Sequence, residues 1–272
     1  MSGFVVDQAK CTRDGICVAT CPASIIIMND HVPAWVDGAE RRCINCGHCV
    51  AVCPQGAISL RTLRPEQCPP LRPDWRLTPE QVEQLLKGRR SIRRYKTQSI
   101  ERAVLTKIID LARYAPSGVN LQPVRWLVLH DSHEVHRLAG LVIDWMRQAI
   151  EAQSPFAKAL NMARLVTAWK RGDDPICRNA PHLIVVHAPK DDRTAPQMCT
   201  IALTYFELAA LPFGVGTCWA GYFSLAANMS PTLQEALQLP EGHQSFGAMM
   251  VGYPQFEYHR IPIRNEAQMT WR

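Results

Sequence analysis

Eight residues near the N-terminus fall into two sets that share one register. Cys11, Asp14, Cys17 and Cys21-Pro22 are matched, 32 positions on, by Cys43, Cys46, Cys49 and Cys53-Pro54. The flanks agree as well, CVATCP against CVAVCP. Two-residue spacings let one loop wrap three corners of a metal–sulfur cube, and the cysteine before proline reaches a second one. Soft thiolates suit iron–sulfur clusters because they match iron and delocalise the added electron. The register therefore predicts two clusters, one on Cys11, Asp14, Cys17 and Cys53, the other on Cys43, Cys46, Cys49 and Cys21. A structural zinc site needs only four ligands, and this run supplies two interlocked sets.

Over roughly its first 60 residues the chain resembles a two-cluster bacterial ferredoxin. Asp14 departs from that pattern, because a carboxylate is a harder and more labile iron ligand than a thiolate. Three states stay open: an Asp-ligated [4Fe–4S] cluster, a [3Fe–4S] cluster lacking that iron, or a substitute thiol such as Cys68. The other cluster is expected to be [4Fe–4S]. An exposed loop acid beside Gly15 is the plain alternative for Asp14.

The clusters change what composition implies. Eleven cysteines could suggest a disulfide scaffold, but their tight spacing argues for ligation in a reducing compartment. With no secretory stretch at the start, the expected location is cytoplasmic. The formal charge of +6 falls to ~+3 once the two clusters are counted. No basic stripe with interleaved aromatics is present, so a nucleic-acid partner is not expected. The apolar stretch Ile201 to Ala227 has one charge, Glu207. Pro212, Gly214, Gly216 and Gly221 break it, so no membrane span is expected.

The chain divides by composition into residues 1–62, a Pro-rich connector at 63–77 and a larger domain at 78–272. Thr78-Pro79-Glu80-Gln81 is a helix-start signal, with Gly88 a plausible stop. Helical periodicity continues in SIERAVLTKIIDLARYA and in a long region from about Glu134 to Trp169. VRWLVLH, HLIVVHA and GAMMVGYP read as strands, and CTIALTYFELAAL as a buried helix before a Gly-rich turn and strand. Helices and strands mix without a strict βαβ repeat, which makes the class α+β.

Three segments of the larger domain carry polar chemistry. GRRSIRRYK offers Arg89, Arg90, Ser91, Arg93 and Arg94, able to bind a phosphate through bidentate contacts. APSGVNLQP offers neutral donors and acceptors at Ser117, Asn120 and Gln122. GVGTCWAGYF offers glycines that allow close backbone approach, without the GxGxxG dinucleotide spacing. In this order the three resemble the FMN-dependent nitroreductase family, from about Thr78 to the C-terminus, with VGYP and Arg264 following. The whole chain resembles a ferredoxin–nitroreductase fusion.

The resemblance implies a mixed sheet flanked by helices and an intertwined homodimer with FMN at each interface. Carried over by position, Arg89, Ser91 and Arg93 would hold the FMN phosphate and ring edge, assisted by Arg90. Pro116, Ser117 and Asn120 would reach the flavin from the partner subunit. Backbone around Cys218, Trp219, Ala220 and Gly221 would face the ring's redox edge, and Arg264 would complete the phosphate site. Pro262 stands where the family often has a second basic residue. The chemistry would be the flavin's, with no obligate acid or base from a side chain. The expected function is an oxidoreductase passing single electrons from an external donor, such as ferredoxin or a reductase, through the clusters to FMN and a small acceptor. Nitroaromatics or quinones are the acceptors the resemblance implies. The alternatives are another acceptor (activated alkene, halogenated aromatic, flavin) or a non-catalytic electron-transfer module of a larger redox complex. His130, His133 and His136 read as solvated surface residues, and Cys177 and Cys199 as small buried hydrophobes.

Overall fold

The repeat in the sequence reappears as a repeat in the backbone. The computed structural model describes residues 3–272, so Met1 and Ser2, where the first domain is expected to begin, lie outside the described residues. The elements of the N-terminal part are β1 (Phe4–Val6), α1 (Ile16–Ala19), β2 (Ile26–Asn29), β3 (Val32–Trp35), α2 (Ala39–Arg42), α3 (His48–Val52) and β4 (Ile58–Leu60). Helices α1 and α3 each start after a left-handed glycine, Gly15 (φ 71°) and Gly47 (φ 73°), 32 positions apart. Arg13 and Asn45 repeat the same offset with φ of 61° and 52°. Only glycine adopts these angles without a Cβ penalty at the helix start, and Asn tolerates them well.

β1 pairs antiparallel with β4, and β2 with β3. Both pairings enclose a small core of Phe4, Ile25, Ile26, Val50, Ile58 and Leu60, together with Cys17 and Cys49. β2 and β4 each follow a Cys-Pro step, in the apolar runs SIIIM and AISL, while β1 and β3 carry no comparable sequence signal. The Pro-rich connector contains two short 3₁₀ turns, Pro65–Gln67 and Pro73–Trp75.

The chain forms two units: residues up to Arg76 with Ser117–Leu121, and Leu77–Pro116 with Gln122–Arg272. The second unit begins with α4 (Pro79–Gly88). The Thr78 hydroxyl accepts from the Gln81 N–H at 3.2 Å, and Gln81 Oε1 accepts from the Thr78 N–H at 2.9 Å. This is the reciprocal cap that the sequence predicts. After α5 (Arg102–Ala112) and β5 (Arg125–Leu129), the expected long helical region divides into α6 (Ser132–Glu151), α7 (Pro155–Ala159) and α8 (Met162–Lys170). The breaks have local causes. Pro155 opens α7, where its missing N–H costs nothing, and Asn161 precedes α8 in the left-handed region at φ 49°.

β6 (His182–Pro189), α9 (Ala195–Ala210), β7 (Gly216–Trp219), α10 (Gly221–Met229), α11 (Pro231–Leu237) and β8 (His243–Gly252) complete the unit. The strand order is β5-β6-β8-β7, and every described pairing is antiparallel. The resemblance implies a mixed sheet; within one chain the sheet is antiparallel. Helices cover both faces. Phe206, Leu203 and Cys199 of α9 pack with Ile108 of α5, and with Ile184 and Val186, on one side. On the other side Leu138 and Val142 of α6 and Phe223 of α10 pack with Leu183 and Val185. β6 is buried along nearly its whole length, as a strand sandwiched between helix layers must be.

Two buried polar arrangements brace this unit. His182 is fully buried and makes three contacts. Its Nε2 accepts from the Ile100 N–H at 2.8 Å and lies 3.3 Å from Ser99 Oγ, while its Nδ1 donates to His130 O at 2.8 Å. His130 stacks on it, with ring centroids 4.4 Å apart. His130 is therefore half-buried and hydrogen-bonded to Ile100 O, whereas the sequence suggested a solvated residue. Glu207, the one charge in the apolar stretch, is buried and pairs with Arg89 Nη1 at 3.0 Å.

Candidate functional site: cysteine sets and two basic cavities

In the first unit Cys21, Cys43, Cys46 and Cys49 line one small cavity with Ile26 and Trp35. These are the four ligands that the register predicts for one cluster. No three described His, Cys, Asp or Glu side chains converge closely enough for a single metal ion. The thiols instead surround a shared space, as a multi-iron cluster requires. Burial pushes the Cys49 thiol up to about 11, and neighbouring Cys46 and Cys43 add to the effect. Metal must therefore displace protons to bind here.

In the other set the Cys17 thiol is raised by burial, and the Asp14 carboxylate beside it adds to the rise. Cys53 Sγ accepts from the Ala57 N–H at 3.3 Å. Asp14 is held on both oxygens: Thr12 Oγ1 donates to Oδ2 at 2.9 Å, and the Ile16 N–H to Oδ1 at 3.0 Å. A carboxylate has about four lone-pair sites, so these bonds leave capacity for iron. Cys68, the spare thiol, is exposed.

In the second unit the segment Arg89 to Arg94 runs beside β7. The Ile92 N–H donates to Thr217 O at 2.8 Å, and the Gln255 N–H donates to Arg94 O at 3.0 Å. Gly216 makes this approach possible. A Cβ there would lie 2.6 Å from Ile92 Cγ1 and 2.9 Å from Pro254 Cγ. Gly221, by contrast, faces open space. Within GVGTCWAGYF, Gly216 serves packing and Gly221 leaves room.

The segment supplies two cavities. Lys87, Arg89, Arg90 and Arg264 line the first, of about 540 Å³, with Leu86 and Ile261 to Ile263 and no acid. Arg90 Nε is buried there with no hydrogen-bond partner among the described residues, although Arg90 Nη2 donates to Lys87 O. An orphaned guanidinium N–H among four cations fits a bound phosphate. Arg93 lines the second cavity, of about 370 Å³, with Cys218, Trp219, Gly221 and Arg178. Ala220 is buried beneath, its N–H donating to Ala248 O at 2.9 Å. Ser91 lies half-buried between Arg90 and Arg93 in the chain.

The structure thus gathers Arg89, Arg90 and Arg264 at one cavity, and Arg93, Cys218, Trp219 and Gly221 at another. Pro116, Ser117 and Asn120 line neither cavity of their own chain. Ser117 and Asn120 group with the first unit, where Asn120 Nδ2 donates to Asn45 O at 3.0 Å. Nothing in the sequence marks Glu207 or Arg178 as a site residue. Glu207 meets Arg89 across 118 positions, and nothing local signals that contact.

A nitroreductase family model matches residues 86–253, and a 4Fe-4S dicluster domain model matches residues 9–58. The chain belongs to the nitroreductase family. A relative in Archaeoglobus fulgidus, named for NADH dehydrogenase and NAD(P)H nitroreductase, is 28% identical, covering 65% of this chain and 88% of its own. An iodotyrosine deiodinase of Haliscomenobacter hydrossis is 28% identical over 63% of this chain and 78% of its own. Among solved structures, a nitroreductase with bound FMN from Bacteroides fragilis superposes with a TM-score of 0.58 at 20% identity, over 70% of this chain and 98% of its own. These relatives match the second unit's fold, α+β with helices on both faces of the sheet. No helix among the described residues is long and apolar enough to cross a membrane.

Proposed function

We propose that this nitroreductase-family chain is an FMN- and iron–sulfur-dependent oxidoreductase. It takes single electrons from an external donor, such as a ferredoxin or a reductase, and delivers them in pairs to a small organic acceptor. The observation that carries this reading is the orphaned Arg90 Nε in an acid-free basic cavity, on a chain that also has a dicluster domain. FMN, when bound, supplies the conversion between one- and two-electron chemistry.

The residues would divide the work as follows. Arg90 and Arg264, with Lys87, take the phosphate's charge. Arg89 is committed first to Glu207, which fixes its guanidinium at the cavity wall with fewer donors free for phosphate. Arg93 supplies positive charge at the second cavity, where a flavin ring gains negative charge on reduction. Gly221 leaves space there, and Trp219, 37% exposed, gives an aromatic wall. The cysteine sets hold the two clusters, one [4Fe–4S] and one associated with Asp14. Nitroaromatic or quinone-like acceptors follow from the family, and the deiodinase relative favours halogenated phenols as a second acceptor class. The working form is a homodimer, with Pro116, Ser117 and Asn120 offered to the partner's flavin.

Anaerobic purification, with iron, sulfide and flavin quantified per chain, tests this reading. The expected result is one FMN and seven to eight irons, on the order of two cubane-type clusters, with one cluster distinct by EPR. Asp14→Cys should convert the distinct signal to that of an ordinary [4Fe–4S] cluster. Two indistinguishable cubanes, unchanged in Asp14→Cys, would exclude Asp14 as a ligand.

A further inference from the structure

The cavity that Arg93 enters has a second cation that the flavin reading leaves without a task. Arg178 lies in the loop between α8 and β6, far in sequence from the Arg89 to Arg94 segment. The loop is built rather than loose. Asp174, 7% exposed, accepts three backbone N–H bonds, from Ile176 at 3.0 Å, Cys177 at 2.9 Å and Asn179 at 3.0 Å. The Arg178 N–H donates to Asp174 O at 3.1 Å, and Arg178 itself is held at φ 57°. A non-glycine residue in that conformation is uncommon and is kept there by its surroundings.

Arg178 forms no ion pair with a described residue, and no residue lining the cavity is acidic. Arg93 and Arg178 both act on the Cys218 thiol, partly offsetting the rise caused by its burial. Two guanidiniums thus share one cavity without a counter-charge. Arg93 is continuous with the phosphate-binding segment and is matched to the flavin. Arg178 comes from a separate loop, and the rest of the lining near it is apolar and aromatic: Leu160, Tyr222 and Leu225.

We propose that Arg178 selects the acceptor, binding the carboxylate of a small aromatic acid whose ring rests on the apolar lining. The proposal rests on the oxidoreductase reading above and names its substrate class. Arg178 is exposed at the cavity mouth, and its planar guanidinium can pair bidentately with a carboxylate, a contact that a neutral isostere cannot match.

The test uses the full-length FMN-loaded protein in its oxidised state, so that no turnover is needed. Dissociation constants for 4-nitrobenzoate and 4-nitrobenzamide are read from perturbation of the flavin absorption spectrum. The wild type should prefer the benzoate by at least about tenfold. Arg178→Met should abolish that preference by weakening benzoate alone, with one FMN still bound, and Arg178→Lys should restore part of it. Arg178→Gln, which keeps a polar side chain, serves where the Met variant fails to fold. A wild type without the preference overturns the proposal, as does a preference that survives in the variants. Loss of FMN from the variants with unchanged preference in the remaining holoprotein assigns Arg178 to the flavin and also overturns it. A wild-type chain that cannot be loaded with FMN is seen in the stoichiometry before any acceptor is added. That result overturns the underlying reading, and the proposal with it.

Discussion

Burial and hydrogen bonding at His182 fix one protonation state. Nε2 already accepts the Ile100 N–H, so a second ring proton would face a donor, and desolvation opposes the charge. Burial lowers the pKa of this imidazole from 6.5 to about 4. Because the folded pKa lies below the unfolded one, the neutral form stabilises the fold fully above pH 6.5. That stability is lost as the pH falls from 6.5 towards 4, where the unfolded chain takes up a proton and the folded chain does not. The loss should approach about 2–3 kcal/mol on the scale of 1.4 kcal/mol per pH unit. Urea unfolding of wild type and His182→Gln at pH 7 and pH 4.5 checks this, and the variant should show the smaller pH difference. A histidine flanked by apolar strand residues announces burial in sequence, but not its partners. Ile100 lies 82 positions away and His130 lies 52 away, so the network is set by tertiary packing.

At the scale of elements, ligand chemistry and capping were the legible parts. Cluster ligation demands fixed residue types at fixed spacings, so the cysteine register can be read directly. The reciprocal Thr78–Gln81 cap is equally local. The strands β1 and β3 lack the Cys-Pro step that precedes β2 and β4, and at three and four residues they are too short for periodicity alone to register. Helix α10 was hidden because its apolar residues run on from the Gly-rich turn and strand before it. The close packing of Arg89 to Arg94 on β7 was hidden as well, since only the folded sheet shows that Gly216 faces Ile92. Gly216→Ala should force Ile92 off β7 and cost about 1–3 kcal/mol through overpacking, with weaker FMN retention. Gly140→Ala in α6 is the control. Its added Cβ would sit 3.6 Å from Trp169, an ordinary contact, and should stabilise the helix by about 0.5–1 kcal/mol. Thermal unfolding of both variants, with flavin content measured alongside, reads the difference.

At the scale of the molecule, two kinds of redox chemistry share one chain. The cysteine sets suit one-electron carriers, and the two basic cavities suit a phosphorylated flavin. The fusion was legible because each half has its own chemical signature. Arg178 was not, because its meaning depends on the cavity that four separate segments form with it. The direction of electron flow is the central claim, and anaerobic mixing of the holoprotein with alternative reductants tests it most directly. Reduced ferredoxin or dithionite should bleach the flavin absorption after the clusters are reduced, with two electrons stored per FMN. Flavin that stays oxidised under those reductants, yet is reduced promptly by NAD(P)H, would contradict the account.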